Sequence, residues 1–121
     1  MREILFRGKK KPWGGWCEGF LVKTGDHFRI STQNDLISFG VDPATIGQYT
    51  GLKDKNGQRI FEGDIVHMKG GCVSGFGVVE FKNGSFGIAD AKRKRFYFLD
   101  DHSVYRVDGN IHDNGELIHE K

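Results

Sequence analysis

DPATIGQYTGLKDKNGQRIFEGDIV, residues 42–66, is the least generic stretch of the chain. It bears on the fold class because it spends its residues on turns rather than on a helical face. Asp42-Pro43 opens a turn: proline fixes φ, and the aspartate side chain can accept from backbone amides two residues on. The pair also fits the start of a short helical turn, with Asp42 as N-cap and Pro43 at the first helical position. Gly47 and Gly51 bracket Gln48-Tyr49-Thr50, and Tyr49 is expected to be buried with its hydroxyl bonded. Asp54-Lys55-Asn56-Gly57 is a second turn, for which Asn56-Gly57 suggests type I′ geometry. Glu62-Gly63-Asp64 is a third, with Gly63 read at positive φ and Asp64 tying the turn down through its own backbone. The acidic residues of this stretch read as structural.

Outward from it, strand patterns dominate. Ile4-Leu5-Phe6 sits between charges. Residues 19–23 and 27–31 flank Thr24-Gly25-Asp26 as a hairpin, and 35–39 is another short apolar run. In the second half, residues 64–68, 76–81, 85–89, 95–99 and 103–107 are β-type, with Lys82-Asn83-Gly84 joining two of them as a tight hairpin. No period of 3.6 persists anywhere, so helix is confined to the turn at Asp42-Pro43 and to residues 115–119.

The totals agree. The chain has 121 residues, 18 of them Gly and 2 Pro, with 37% hydrophobic and 28% charged. That is one ordinary domain, able to bury roughly 65% of its unfolded surface. The expected architecture is all-β: residues 1–41 as a smaller N-terminal β subunit and 42–121 as a barrel-like β subunit. The N-terminal MREILFRGKKK lacks the apolar run of a signal peptide, and no apolar segment approaches the roughly 20 residues of a spanning helix. The expected setting is cytoplasmic, with no membrane partner and two free thiols at Cys17 and Cys72.

The central motif VDPATIGQYTGLKDKNGQRIFEGDIV resembles the core motif of the YopX family of phage and prophage proteins. So do Arg2-Glu-Ile-Leu-Phe-Arg7, Gly77-Val-Val-Glu-Phe81, Gly84-Ser-Phe-Gly87 and Gly109-Asn-Ile111, so the likeness spans almost the whole chain. One departure is Asn114-Gly115-Glu116-Leu117, where the family often has Asn-Pro-Glu-Leu; Gly starts a helical turn less firmly than Pro. The resemblance implies a β-rich fold of mixed sandwich and barrel character and a phage-derived setting. It implies no activity and no catalytic residues.

The residues themselves offer five chemistries. The histidines (His27, His67, His102, His112, His119) are scattered, and a His67/Cys72 dyad is a minor enzymatic reading. Counting an EF-hand from Asp54 puts Ile65 where a bidentate Glu belongs, and no Cys/His spacing suits zinc, so no metal and no cofactor is expected. Residues 70–75 are glycine-rich but lack the Gly-Lys-Ser/Thr of a phosphate loop. Two basic runs abut aromatics: Lys9-Lys10-Lys11 before Trp13 and Trp16, and Lys92-Arg93-Lys94-Arg95 before Phe96-Tyr97-Phe98. They could engage phosphates and stack on bases, although Asp100-Asp101 would repel phosphate. Strand alternation is read as placing Tyr97 outward and Phe96 and Phe98 inward. Trp13, Trp16 and Tyr97 are then candidate contacts to a protein partner or a second copy. A non-enzymatic interaction or assembly module, forming a homo-oligomer, is the leading expectation; a nucleic-acid-binding accessory protein is the alternative.

Overall fold

The computed structural model describes residues 4–12, 14–32, 37–70, 73–101 and 103–119. Trp13, Cys72 and His102 lie outside the described residues. The chain is all-β, with eleven strands, a single 3-10 turn and one short helix among the described residues. It divides into two compact units, residues 1–49 and 50–121. The first therefore takes in residues 42–49, which the sequence reading gave to the second.

The first unit contains β1 (Phe6–Lys9), β2 (Trp16–Thr24), β3 (His27–Ser31) and β4 (Ser38–Gly40), followed by a 3-10 turn (Pro43–Thr45) and the start of β5 (Gly47–Lys53). Its antiparallel order is β4-β3-β2-β1-β5. The β2–β3 hairpin turns at Gly25-Asp26 as expected. Asp42 caps the 3-10 turn: its Oδ1 accepts from Ala44 N at 3.1 Å, and Pro43 stands at the first helical position. Residues 42–49 join this unit because Gly47 and Gln48 pair with Arg7 and Phe6. Its core gathers Cys17, Ile30 and Val41, with Phe6, Leu21, Phe28, Phe39 and Ile46 packed around them. A Cβ at Gly8 would crowd the Val41 and Ile30 side chains at 3.1 and 3.3 Å.

The second unit begins with the rest of β5, beside β6 (Arg59–Phe61). There Thr50 Oγ1 donates to Ile60 O at 2.8 Å. The sequence reading saw only turns here and missed both strands. Then follow β7 (Asp64–Gly70), β8 (Val73–Lys82), β9 (Ser85–Asp90), β10 (Arg95–Phe98), β11 (Val104–Asn110) and α1 (Glu116–His119). Strands β7 to β11 form an antiparallel sheet in the order β10-β9-β8-β7-β11. The sheet is open: β10 and β11 stand at opposite edges and do not pair, which corrects the barrel expectation. Its core holds Ile60, Val66, Met68, Val79, Ile88 and Tyr105. Removing each such side chain from water contributes about 2 kcal/mol.

The turns separate by chemistry. Asn83 (φ 52) and Gly84 (φ 82) both sit at positive φ, as a type I′ hairpin needs. Asn56 does not, although Gly57 does (φ 82), so the expected type I′ turn at Asn56-Gly57 is not the one formed. Asp54 decides this. Its Oδ1 accepts from Asn56 N and Gln58 N, both at 2.9 Å, while Gly57 N donates to Asp54 O at 3.0 Å. Asp64, 1% exposed, accepts from Phe61 N at 2.8 Å, and Gly63 is at φ 90, as that turn was read. Despite Gly115, α1 forms: Leu117 N donates to Asn114 O and Ile118 N to Gly115 O.

Candidate interaction surfaces

In the first unit, alternation along β2 sends Cys17 and Leu21 to the core and Trp16, Glu18, Phe20 and Val22 to the other face. Register places Arg7 opposite Glu18 and Lys9 opposite Trp16, so both cations lie on that side of the sheet, Arg7 buried and Lys9 half-buried. The Arg7 guanidinium lies 4.7 Å from the Trp16 ring centroid and Lys9 Nζ 5.6 Å, which orients the half-buried indole by cation–π attraction. Phe20 (50% exposed) and Val22 (44%) continue the row into solvent. The sequence reading found Trp16 but missed Phe20 and Val22. The period-2 spacing of 16, 20 and 22 against 17 and 21 was the available signal.

The lysine run does not form one face. Lys9 lies over Trp16, Lys10 Nζ stands 4.7 Å from the Phe39 ring, and Lys11 is exposed. Gly14 N and Gly15 O bond the Lys10 backbone and close the loop on itself. A cleft of about 120 Å³ lies beside it, lined in part by Lys11, His27, Arg29 and Pro43. That is well below the several hundred Å³ of an ordinary ligand pocket. Cys17 Sγ bonds Gly8 O at 3.6 Å, and burial pushes its thiol above the ordinary value, so it is no activated nucleophile.

In the second unit, Lys92, Arg93 and Lys94 form the exposed tip between β9 and β10, and the exposed Arg95 opens β10. Asp90 holds this tip: Oδ1 accepts from Arg93 N at 3.1 Å, and Oδ2 is 4.0 Å from Arg93 Nε. The two basic runs thus belong to different compact units. The aromatic parity is opposite to the expected one. Tyr97 packs on the core cluster and covers Gly75, whereas Phe98 is 58% exposed. Phe96 rests on Gly87, whose missing side chain makes the room, and meets Phe98 edge-on at 5.1 Å. Tyr97 is therefore a core residue, and Phe96 and Phe98 are the outer pair.

One polar cluster escaped the sequence reading. His67 on β7 faces Arg106 on β11, and a bulge between Val107 and Gly109 leaves Asp108 as the extra residue. A carboxylate only accepts, so His67 Nδ1 donates to Asp108 Oδ2 at 2.5 Å, and Arg106 Nε donates to Oδ1 at 2.8 Å. Burial raises the Asp108 carboxyl, but hydrogen bonds from Arg106 and His67 outweigh it and hold the group below the usual carboxylate range. Phe76 lies against the imidazole at 4.4 Å. His67 is thus engaged in a pairing with Asp108, 41 residues away, a separation no local motif reveals.

The family model described as YopX protein matches residues 17–119, most of the chain. The chain belongs to the YopX family. The match runs from Cys17, the second residue of β2, through α1 and so takes in parts of both units of this YopX chain. A search of curated proteins finds no match. Among the described residues of this YopX chain, no helix is long and apolar enough to cross a membrane.

Proposed function

We propose that this YopX-family chain is a non-enzymatic protein-interaction module, working in the cytoplasm of a host cell in a phage or prophage setting. The observation that supports it is the outward row Trp16, Phe20 and Val22 on β2, flanked by Arg7 and Lys9. An indole oriented by two cations beside exposed apolar side chains suits a partner that brings its own apolar side chains. Trp and Arg are the residue types that carry interface energy. The double variant Trp16→Ala/Phe20→Ser tests this in pull-downs read by mass spectrometry. A partner retained by the native chain at defined stoichiometry should be lost by the variant, with the far-UV circular dichroism unchanged. Equal retention by both proteins sinks the reading.

Nucleic-acid binding through Lys9–Lys11 and Lys92–Arg95 has less support. Lys9 and Lys10 are occupied by aromatic rings, and Asp90, Asp100 and Asp101 sit close in sequence to the second run. Anisotropy of labelled oligonucleotides, titrated with salt, separates the two readings, because phosphate contacts weaken steeply as salt rises.

A further inference from the structure

The five-stranded sheet has two edges, and only one is sealed within the unit. At β11, Lys55 N donates to Tyr105 O at 2.9 Å and Val107 N donates to Asp54 Oδ2 at 3.2 Å, so the Asp54 turn covers the outward groups. At β10, Leu99 N donates inward to Phe86 O at 3.1 Å. Bonding direction alternates along an antiparallel strand. Arg95 and Tyr97 therefore also bond toward β9, and the N–H and C=O groups of Phe96 and Phe98 point away from the sheet. Among the described residues, no hydrogen bond reaches them from that side. An open edge of this kind is a template for another strand.

The charges around the edge say which strand. Residues 92–101 read Lys-Arg-Lys-Arg-Phe-Tyr-Phe-Leu-Asp-Asp, four cations at one end, four apolar residues, then two carboxylates. Lys92 through Arg95 and both aspartates are exposed. The Tyr105 hydroxyl accepts from Asp100 N at 2.8 Å and so fixes the acidic end in place. Reversed, this sequence is complementary to itself.

We propose that β10 is a self-complementary edge at which a second copy of this chain adds as an antiparallel strand about a two-fold axis. Outward groups must meet outward groups, so Phe96 of each copy faces Phe98 of the other and Tyr97 faces Tyr97 across the axis. β10 begins at Arg95, and Lys94 (φ 56) lies in the turn before it, so that register brings the cationic turn of each copy, with Arg93 and Lys94, alongside Asp100 and Asp101 of the other, twice over by symmetry. A parallel approach would set cations against cations and is excluded by charge. The two sheets become one continuous ten-stranded sheet. This deepens the interaction-module reading by naming one partner, and it uses a different unit from the Trp16 face.

Sedimentation velocity of the full-length chain tests the assignment. The native chain should dimerise. Arg93→Glu alone and Asp101→Lys alone should each weaken the dimer about tenfold or more, since each sets like charges opposite twice. Mixing the two variants should restore it: the introduced glutamate meets the introduced lysine on one side, and native Arg93 meets native Asp101 on the other. Phe98→Pro removes an outward N–H without touching the β9 ladder and should abolish the dimer, while its melting curve matches that of the native chain diluted to where it is monomeric. A native chain that stays monomeric at near-millimolar concentration overturns the proposal. So does a dimer indifferent to these variants, or a mixture no tighter than its components. A dimer broken by Trp16→Ala instead removes β10 as the interface and leaves the association reading standing.

Discussion

The β11 and β10 edges belong to the same sheet and face the same problem in opposite ways. At β11 an aspartate 53 residues upstream reaches across and fills an outward backbone donor. At β10 nothing among the described residues does so, and the strand is bordered by charge instead. Sealing an edge takes a buried acceptor and makes the strand part of the unit's own stability. Leaving it open, with opposite charges at its two ends, makes the strand available and selective.

The largest expected effect comes from breaking the sealed edge. Asp54 is 6% exposed and accepts three backbone N–H groups, from Asn56, Gln58 and Val107. Asp54→Ala should lower stability by about 3 kcal/mol, because three hydrogen bonds to a charged acceptor vanish, one of them from the half-buried Val107 N–H. Thermal melting should fall by about 10 °C or more. The newly open β11 edge should also add concentration-dependent aggregation, visible by light scattering. An unchanged melting temperature would show that water replaces Asp54 at no loss.

A smaller effect is expected at Asp108, on the same edge strand. Its carboxyl is held below the ordinary value, so the unfolded chain takes up the proton first as pH falls. The stability it supplies is complete above its unfolded value, about pH 4, and is lost as pH falls through the lower folded value. Asp108→Asn should lower stability at neutral pH by about 0.5–1 kcal/mol, discounted for partial exposure. It should also flatten this part of the acid limb of a pH–stability curve measured by urea titration. Parallel acid limbs for the two proteins would remove Asp108 from the account.

The smallest effect belongs to the open edge. Phe98→Ser should change folding stability by less than about 0.5 kcal/mol, the usual range for exposed sites. A loss of several times that in chemical denaturation would mean that Phe98 supports the sheet itself, and the contrast between the edges would collapse.

The same two edges mark what the sequence made legible. Asn83-Gly84 behaves as its residues suggest because nothing else competes for that turn. Asn56-Gly57 does not, because Asp54 captures two nearby amides and imposes a different backbone. That capture is local and could be read; the third bond, to Val107, depends on tertiary structure. Strands β5 and β6 stayed hidden because Gly47, Gly51 and Gly57 punctuate the segment as though it were all turn. At β10 alternation was right and parity wrong: Gly75 makes room for Tyr97 inward and Gly87 makes room for Phe96 outward. Parity was open until the neighbouring strands were aligned. Of the candidate contacts, Trp16 is on an outer face, Tyr97 is not, and the β2 row was legible by spacing alone.

The Asp54–Val107 bond also sets an order of assembly. Strands β7 to β10 succeed one another as hairpins and can pair as they leave the ribosome, each closing a short loop. The Asp54 turn is made earlier than all of them, yet its second carboxylate oxygen must wait for the last strand to arrive. A nascent chain stalled before Val107 would carry the whole meander with β7 as a bare edge and with Asp54 Oδ2 still lacking its Val107 donor. Completion of the sheet thus waits for the synthesis of β11, and a chain lacking β11 should be the form that quality-control proteases recognise.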